Sequence, residues 1–137
     1  MTESSTHVLL VSELLQWVEH NITPRDDLCI LVDSLSSSPD SRPPSIGGKV
    51  PDVYVKSVGS DRVVLIGEAK TSLDVETEHT RDQFRGYLDH LKSQRVSILL
   101  IAVPWHKTRL VQSIVHRVQE EQNAQRVSVY ILQNLPG

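Results

Sequence analysis

Asp52, Glu68 and Lys70 are the residues whose types and spacing could do chemistry. Pro51-Asp52-Val53-Tyr54-Val55-Lys56 reads as one strand, and Val63-Val64-Leu65-Ile66-Gly67-Glu68-Ala69-Lys70 reads as the next after a tight turn. Side chains alternate across a strand, so Glu68 and Lys70 share a face, as do Asp52 and Tyr54. With Gly59-Ser60-Asp61 as a three-residue hairpin loop, Val58 pairs with Arg62 and Asp52 stands opposite Glu68. A two-residue loop would shift that pairing by one position. Opposed carboxylates destabilise a strand pair, and the cost grows beside a run as apolar as Val63 to Gly67. A divalent cation reverses the sign of that interaction, because Mg²⁺ takes carboxylate oxygens as ligands.

These residues need a frame to hold them. Ser5 to His20 reads as a helix, with Leu10, Leu14, Trp17 and Val18 at helical spacing and Glu13, Gln16 and His20 on the flank. Asn21 to Arg25 ends it, since Pro24 turns the residue before it away from helix. Leu28 to Val32 is a short apolar strand. Residues 34–50 form a Ser-, Pro- and Gly-rich loop, long enough to be flexible or functional. Its Gly47-Gly48-Lys49 lacks the further features of a phosphate-binding loop; the glycines instead let the chain turn into the Asp52 strand and could bring Lys49 near a phosphate. A helix over about 80–93 carries Phe84, Tyr87, Leu88 and Leu91 on one face. Gly86 inside it costs about 1 kcal/mol relative to alanine, which fits a close approach of the helix backbone to something else. Val96 to Val103 is a strand buried on both faces, a helix carries Leu110, Val111, Ile114, Val115 and Val118 inward, and Val127 to Leu132 closes the sheet. Buried strands flanked by helices imply a mixed α/β sheet covered on both faces.

At 137 residues, 39% apolar and 23% charged, the chain has the size and composition of one globular domain over 1–137. No apolar run approaches a membrane span and the N-terminus lacks the basic start of a signal peptide, so a cytoplasmic location is expected. The single cysteine, Cys29, has no internal disulfide partner and reads as a core residue. A net charge of −3 argues against holding nucleic acid by electrostatics alone. Its distribution is uneven: residues 1–78 carry 6 basic and 13 acidic side chains, residues 79–137 carry 8 and 4. That asymmetry suits an acidic metal pocket beside a basic surface, and solvated helix faces produce the same counts.

The combination of Pro51-Asp52, a hairpin, Glu68-Ala69-Lys70 and a following helix resembles the PD-(D/E)XK nuclease superfamily, over most of the chain from the first helix to Val103. Gln83-Phe84-Arg85-Gly86-Tyr87 also matches the Gln-x-x-x-Tyr motif of a branch that includes phage-lambda-type exonucleases and helicase-associated nuclease domains. The resemblance implies a restriction-endonuclease-like αβββαβ core with a mixed central sheet, here with a C-terminal helix and strand added. It implies a DNA nuclease using Mg²⁺ or Mn²⁺, of the kind found in repair, recombination, restriction or defence against phage and mobile elements. Asp52 and Glu68 would be metal ligands, with the Ala69 carbonyl as a further ligand and Glu13, or else Glu19, as an acid from the first helix. Lys70, Gln83 and Tyr87 would complete the catalytic set, and Lys49, Arg81 and Arg85 would contact DNA. The chemistry fits the residues: phosphodiester hydrolysis needs an activated water, charge stabilisation on the phosphate and protonation of the leaving oxygen.

Each residue also has a plain reading. Gln83 completes a capping-box pattern with Thr80, Tyr87 could simply pack, and the three charged residues could form a surface ladder of ion pairs. The six histidines show no metal-ligand spacing, although His79 lies near the motif. Trp105 and His106 could stack on a base or anchor packing. A module of the same fold that binds DNA or a partner without cleaving is the competing function. The mild acidity is compatible with a homodimer or with a subunit or domain of a larger nucleic-acid-processing assembly.

Overall fold

The computed structural model describes residues 5–22, 27–34, 41–57, 59 and 62–134. The elements run α1 (Ser5–Asn21), β1 (Leu28–Val32), β2 (Val53–Ser57), β3 (Val63–Ala69), α2 (Glu78–Leu91), β4 (Val96–Pro104), a 3₁₀ turn (Trp105–Lys107), α3 (Thr108–Glu121) and β5 (Ser128–Asn134). The five strands form one sheet in the order β1-β2-β3-β4-β5. β1, β2 and β3 are antiparallel neighbours, whereas β3, β4 and β5 are parallel. The parallel pairs are joined through α2 and α3, as parallel strands require. This is the restriction-endonuclease-like mixed α/β core expected from the sequence.

The two faces of the sheet have separate cores. Leu10, Leu14 and Val18 of α1 pack on Val53, Val55, Leu65, Ala69, Leu100 and Ala102. The opposite face holds Tyr54, Val64, Ile66, Leu99, Ile101 and Val103 beneath Phe84, Tyr87 and Leu88 of α2 and Val111, Ile114 and Val115 of α3. Both faces are covered because β3 and β4 are apolar at successive positions, so neither side can be left to water. β1 is an edge strand, and Cys29 is only partly buried there rather than in the core.

The expected register holds. Val53 pairs with Gly67 and Tyr54 with Ile66, and one further step sets Asp52 opposite Glu68. Residues 58, 60 and 61 of the proposed hairpin loop lie outside the described residues, as do 23–26 at the end of α1 and 35–40 of the long loop. Beyond that loop's described start, Ile46 and Lys49 exchange backbone hydrogen bonds of 2.7 and 3.0 Å around Gly47 and Gly48. Both glycines have positive φ, +60° and +81°, as a tight two-residue turn needs. Gly86 is where this turn crosses α2: a Cβ on Gly47 would lie 3.4 Å from the Gly86 Cα.

Candidate active site

Sheet alternation puts Asp52 and Glu68 on the face covered by α2, and the helix meets that face at matching intervals. Glu68 and Lys70 are two residues apart, about 6.6 Å along a strand. Gln83 and Tyr87 are four apart, about 6 Å along a helix and on one side of it. With α2 running back along β3, the two pairs align. The Tyr87 hydroxyl donates to Glu68 Oε1 at 3.1 Å, and Lys70 Nζ donates to Gln83 Oε1. Lys70 Nζ also lies 3.8 Å from Glu68 Oε2. All five side chains, Asp52 included, are buried.

Two backbone contacts fix the strand ends. The Ala69 N–H donates to Asp52 Oδ2 at 2.8 Å, so the Asp52 side chain extends the β2–β3 pairing past its last backbone bond. The Lys70 N–H donates to Ala102 O at 3.0 Å and holds the turn out of β3 against β4. On the other side of β2, the Asp33 N–H donates to Asp52 O at 2.9 Å. Stepping the β1–β2 register onward places Asp33 opposite Asp52, so three acids succeed one another across β1, β2 and β3.

Burial pushes the Glu68 carboxyl well above the usual carboxylate range, and the neighbouring Asp52 charge adds to the rise. Lys70 and the Tyr87 hydroxyl oppose it. The pair is thus held together at a cost that either a proton or a cation relieves. Burial, reinforced by the Glu68 charge, raises the Tyr87 phenol as well, which keeps it a proton donor.

The donor set fits a hard divalent ion of the Mg²⁺ kind. Two buried carboxylates in mutual repulsion suit an ion that binds through one or two carboxylates and keeps several waters. Among the described residues no three or more His, Cys, Asp and Glu side chains gather as a ready-made ligand cage. Backbone oxygens such as that of Ala69, or water, would have to supply the remaining positions.

The first helix brings His7 to the site. His7 Nε2 lies 3.3 Å from Asp52 Oδ2. Glu13 is six residues on, about 9 Å farther along the axis, and burial raises its carboxyl. Glu19 is farther still. His7 was legible in one respect: it continues the Leu10, Leu14, Val18 stripe that faces the sheet.

Gln83 is not a cap. α2 begins earlier than its periodicity indicates, with Thr77 as N-cap accepting from the Thr80 N–H at 3.1 Å. That leaves Gln83 in mid-helix, facing Lys70. The residues expected to contact nucleic acid have partners within the chain. Lys49 Nζ is 3.2 Å from His79 Nδ1, Arg81 donates to Glu76 O, and Arg85 is held by Glu78, Asp82 and Glu121.

No family model matches the sequence, and no curated protein sequence matches it. Among solved structures, the chain is similar to SfsA of Pyrococcus furiosus in complex with Ca²⁺, with a TM-score of 0.54 over 93% of this chain. The likeness is one of fold. Identity is 8%, and the match spans 58% of that protein's chain. No helix among the described residues is long and apolar enough to cross a membrane.

Proposed function

We propose that the protein is a divalent-metal-dependent nuclease hydrolysing DNA phosphodiester bonds at the Asp52–Glu68–Lys70 cluster. The observation that carries this reading is the buried carboxylate pair with a lysine held beside it: a structural ion-pair ladder has no need to keep two like charges together out of water. The fold neighbour's complex with Ca²⁺ adds support, since a chain of similar fold is found with a divalent cation.

In this reading Asp52, Glu68 and the Ala69 carbonyl hold Mg²⁺ or Mn²⁺. When bound, the ion would make an attacking water more nucleophilic and neutralise charge on the phosphate and the leaving oxygen. The chain's own residues set the geometry. The Ala69 N–H and His7 orient Asp52, Tyr87 orients Glu68, and Gln83 with Glu68 aims the Lys70 ammonium. From there Lys70 positions the water and stabilises the charge that builds on the phosphoryl oxygens. Hydrolysis forms one P–O bond to water oxygen and breaks one ester P–O bond, with the water proton ending on solvent and the leaving oxygen gaining one.

The test is a panel of linear, circular, single-stranded and branched DNA incubated with Mg²⁺ or Mn²⁺. Cleavage that disappears in Asp52→Asn and in Lys70→Ala supports the reading. Survival of every substrate with both metals would replace the nuclease with a binding module of the same fold, and cleavage persisting in either variant would move the site elsewhere.

A further inference from the structure

Trp105 sits in the 3₁₀ turn that leaves β4 at the same end of the sheet as Glu68 and Lys70. It is 51% exposed, and its ring contact is with His106, edge-on at a centroid distance of 5.7 Å. It is therefore no packing anchor, unlike Trp17, which is partly buried and packs against Tyr130. The turn is fixed from two sides. Thr108 Oγ donates to Trp105 O at 2.9 Å, and His106 Nε2 lies 3.1 Å from the Oγ of Ser72, two residues past Lys70. Along β4, Trp105 is three residues beyond Ala102, whose carbonyl receives the Lys70 N–H, which is about 10 Å of strand.

The cations that flank the turn in sequence carry no ion pair among the described residues. Arg81, Arg85 and Lys92 each have a carboxylate partner. Lys107 and Arg109, flanking the start of α3, have none among the described residues. A half-exposed indole on a braced turn, flanked in sequence by two cations without carboxylate partners among the described residues, has the makings of a single-strand platform: aromatic stacking grips a base while the charges follow the backbone.

We infer that Trp105, with Lys107 and Arg109, binds an unpaired nucleotide of the substrate strand a few positions from the phosphate at the carboxylates. This rests on the nuclease reading and narrows its substrate class to single-stranded, frayed or flapped nucleic acid. A base inside a duplex keeps its faces stacked on its neighbours and cannot offer one to Trp105.

The experiment is a fluorescence titration of the Trp17→Phe chain with oligothymidylate in EDTA, where no metal-dependent cleavage occurs. The result expected is saturable quenching by the single strand and little by a duplex of equal length. Trp105→Ala should bind about tenfold more weakly or worse, and Trp105→Phe should keep most of the affinity. Lys107→Gln with Arg109→Gln should make the salt dependence shallower by about 1.4 in log–log slope. If Trp17→Phe does not fold, the wild-type signal minus that of Trp105→Phe gives the same readout. A folded Trp105→Ala that binds like wild type, or equal quenching by duplex, overturns the inference. Quenching without cleavage in the metal panel removes the nuclease reading and leaves the platform; cleavage without quenching does the reverse.

Discussion

Tyr87 donates its hydroxyl to Glu68 Oε1 at 3.1 Å inside the sheet–helix interface, so one side chain is both core and site. Its ring packs with Phe84 and Leu88 while its oxygen steadies a buried carboxyl. Tyr87→Phe keeps the ring and removes the donor. We expect a loss of about 1–2 kcal/mol in urea unfolding and weaker Mg²⁺ binding by calorimetry, because the carboxylate form of Glu68 loses a stabilising partner. Unchanged Mg²⁺ affinity would show that the bond serves packing alone.

The raised Glu68 carboxyl gives the metal-free protein a distinctive pH dependence. Its unfolded value is near 4.5 and its folded value lies well above, so between the two the folded state binds more protons and stability falls as pH rises through that window. Glu68→Gln removes this slope. In EDTA at neutral pH the variant should melt higher than wild type, by about 3 °C or more. Added Mg²⁺ should raise the wild-type melting temperature and leave the variant nearly unmoved. A variant that melts lower at neutral pH would mean that Glu68 is stabilising as a carboxylate.

Gln83 holds Lys70 where the helix crosses the strand end. Gln83→Leu takes the acceptor from a buried ammonium and should cost about 2 kcal/mol. Gln83→Glu restores an acceptor and should recover most of that loss. In a DNA-cleavage assay, Gln83→Leu should lower kcat more than it raises KM, because the lysine's aim matters most when charge builds on the phosphate. An equal effect of Leu and Glu at this position would argue against the Lys70 contact as the cause.

The crossing of the Gly47 turn over Gly86 separates two glycines that look alike in sequence. At Gly86 a Cβ would meet Ile46 O at 3.6 Å and the Gly47 Cα at 3.7 Å, which is ordinary contact. Gly86→Ala should therefore be tolerated and gain up to about 1 kcal/mol of helix propensity. Gly47 has φ +60° and would place a Cβ 3.4 Å from the Gly86 Cα. Gly47→Ala should cost about 1 kcal/mol or more. Chemical denaturation of both variants checks the pair, and the expected order is Gly86→Ala above wild type above Gly47→Ala.

The sequence by itself determined most of the elements and the face shared by Glu68 and Lys70, and it offered the β2–β3 register as one of two, which the strand pairing decided. These are local matters: alternation has a period of two, and a run as short and as rich in β-branched residues as Val96 to Val103 favours a buried strand. It also placed Gln83 and Tyr87 one helical turn apart. Only the tertiary structure decided what those residues touch. Gln83 left the cap and met Lys70 because Thr77 starts the helix earlier. His7 stands beside Asp52, since which residue of a helix reaches a strand end depends on how the two elements cross. The partly buried Cys29 and the half-exposed Trp105 follow from strand order and from a turn between elements, neither of which a pattern of hydrophobicity records. The charges behave likewise. Asp82 and Glu78 lie near Arg85 in the sequence and pair with it, whereas its third carboxylate, Glu121, comes from α3 through the fold.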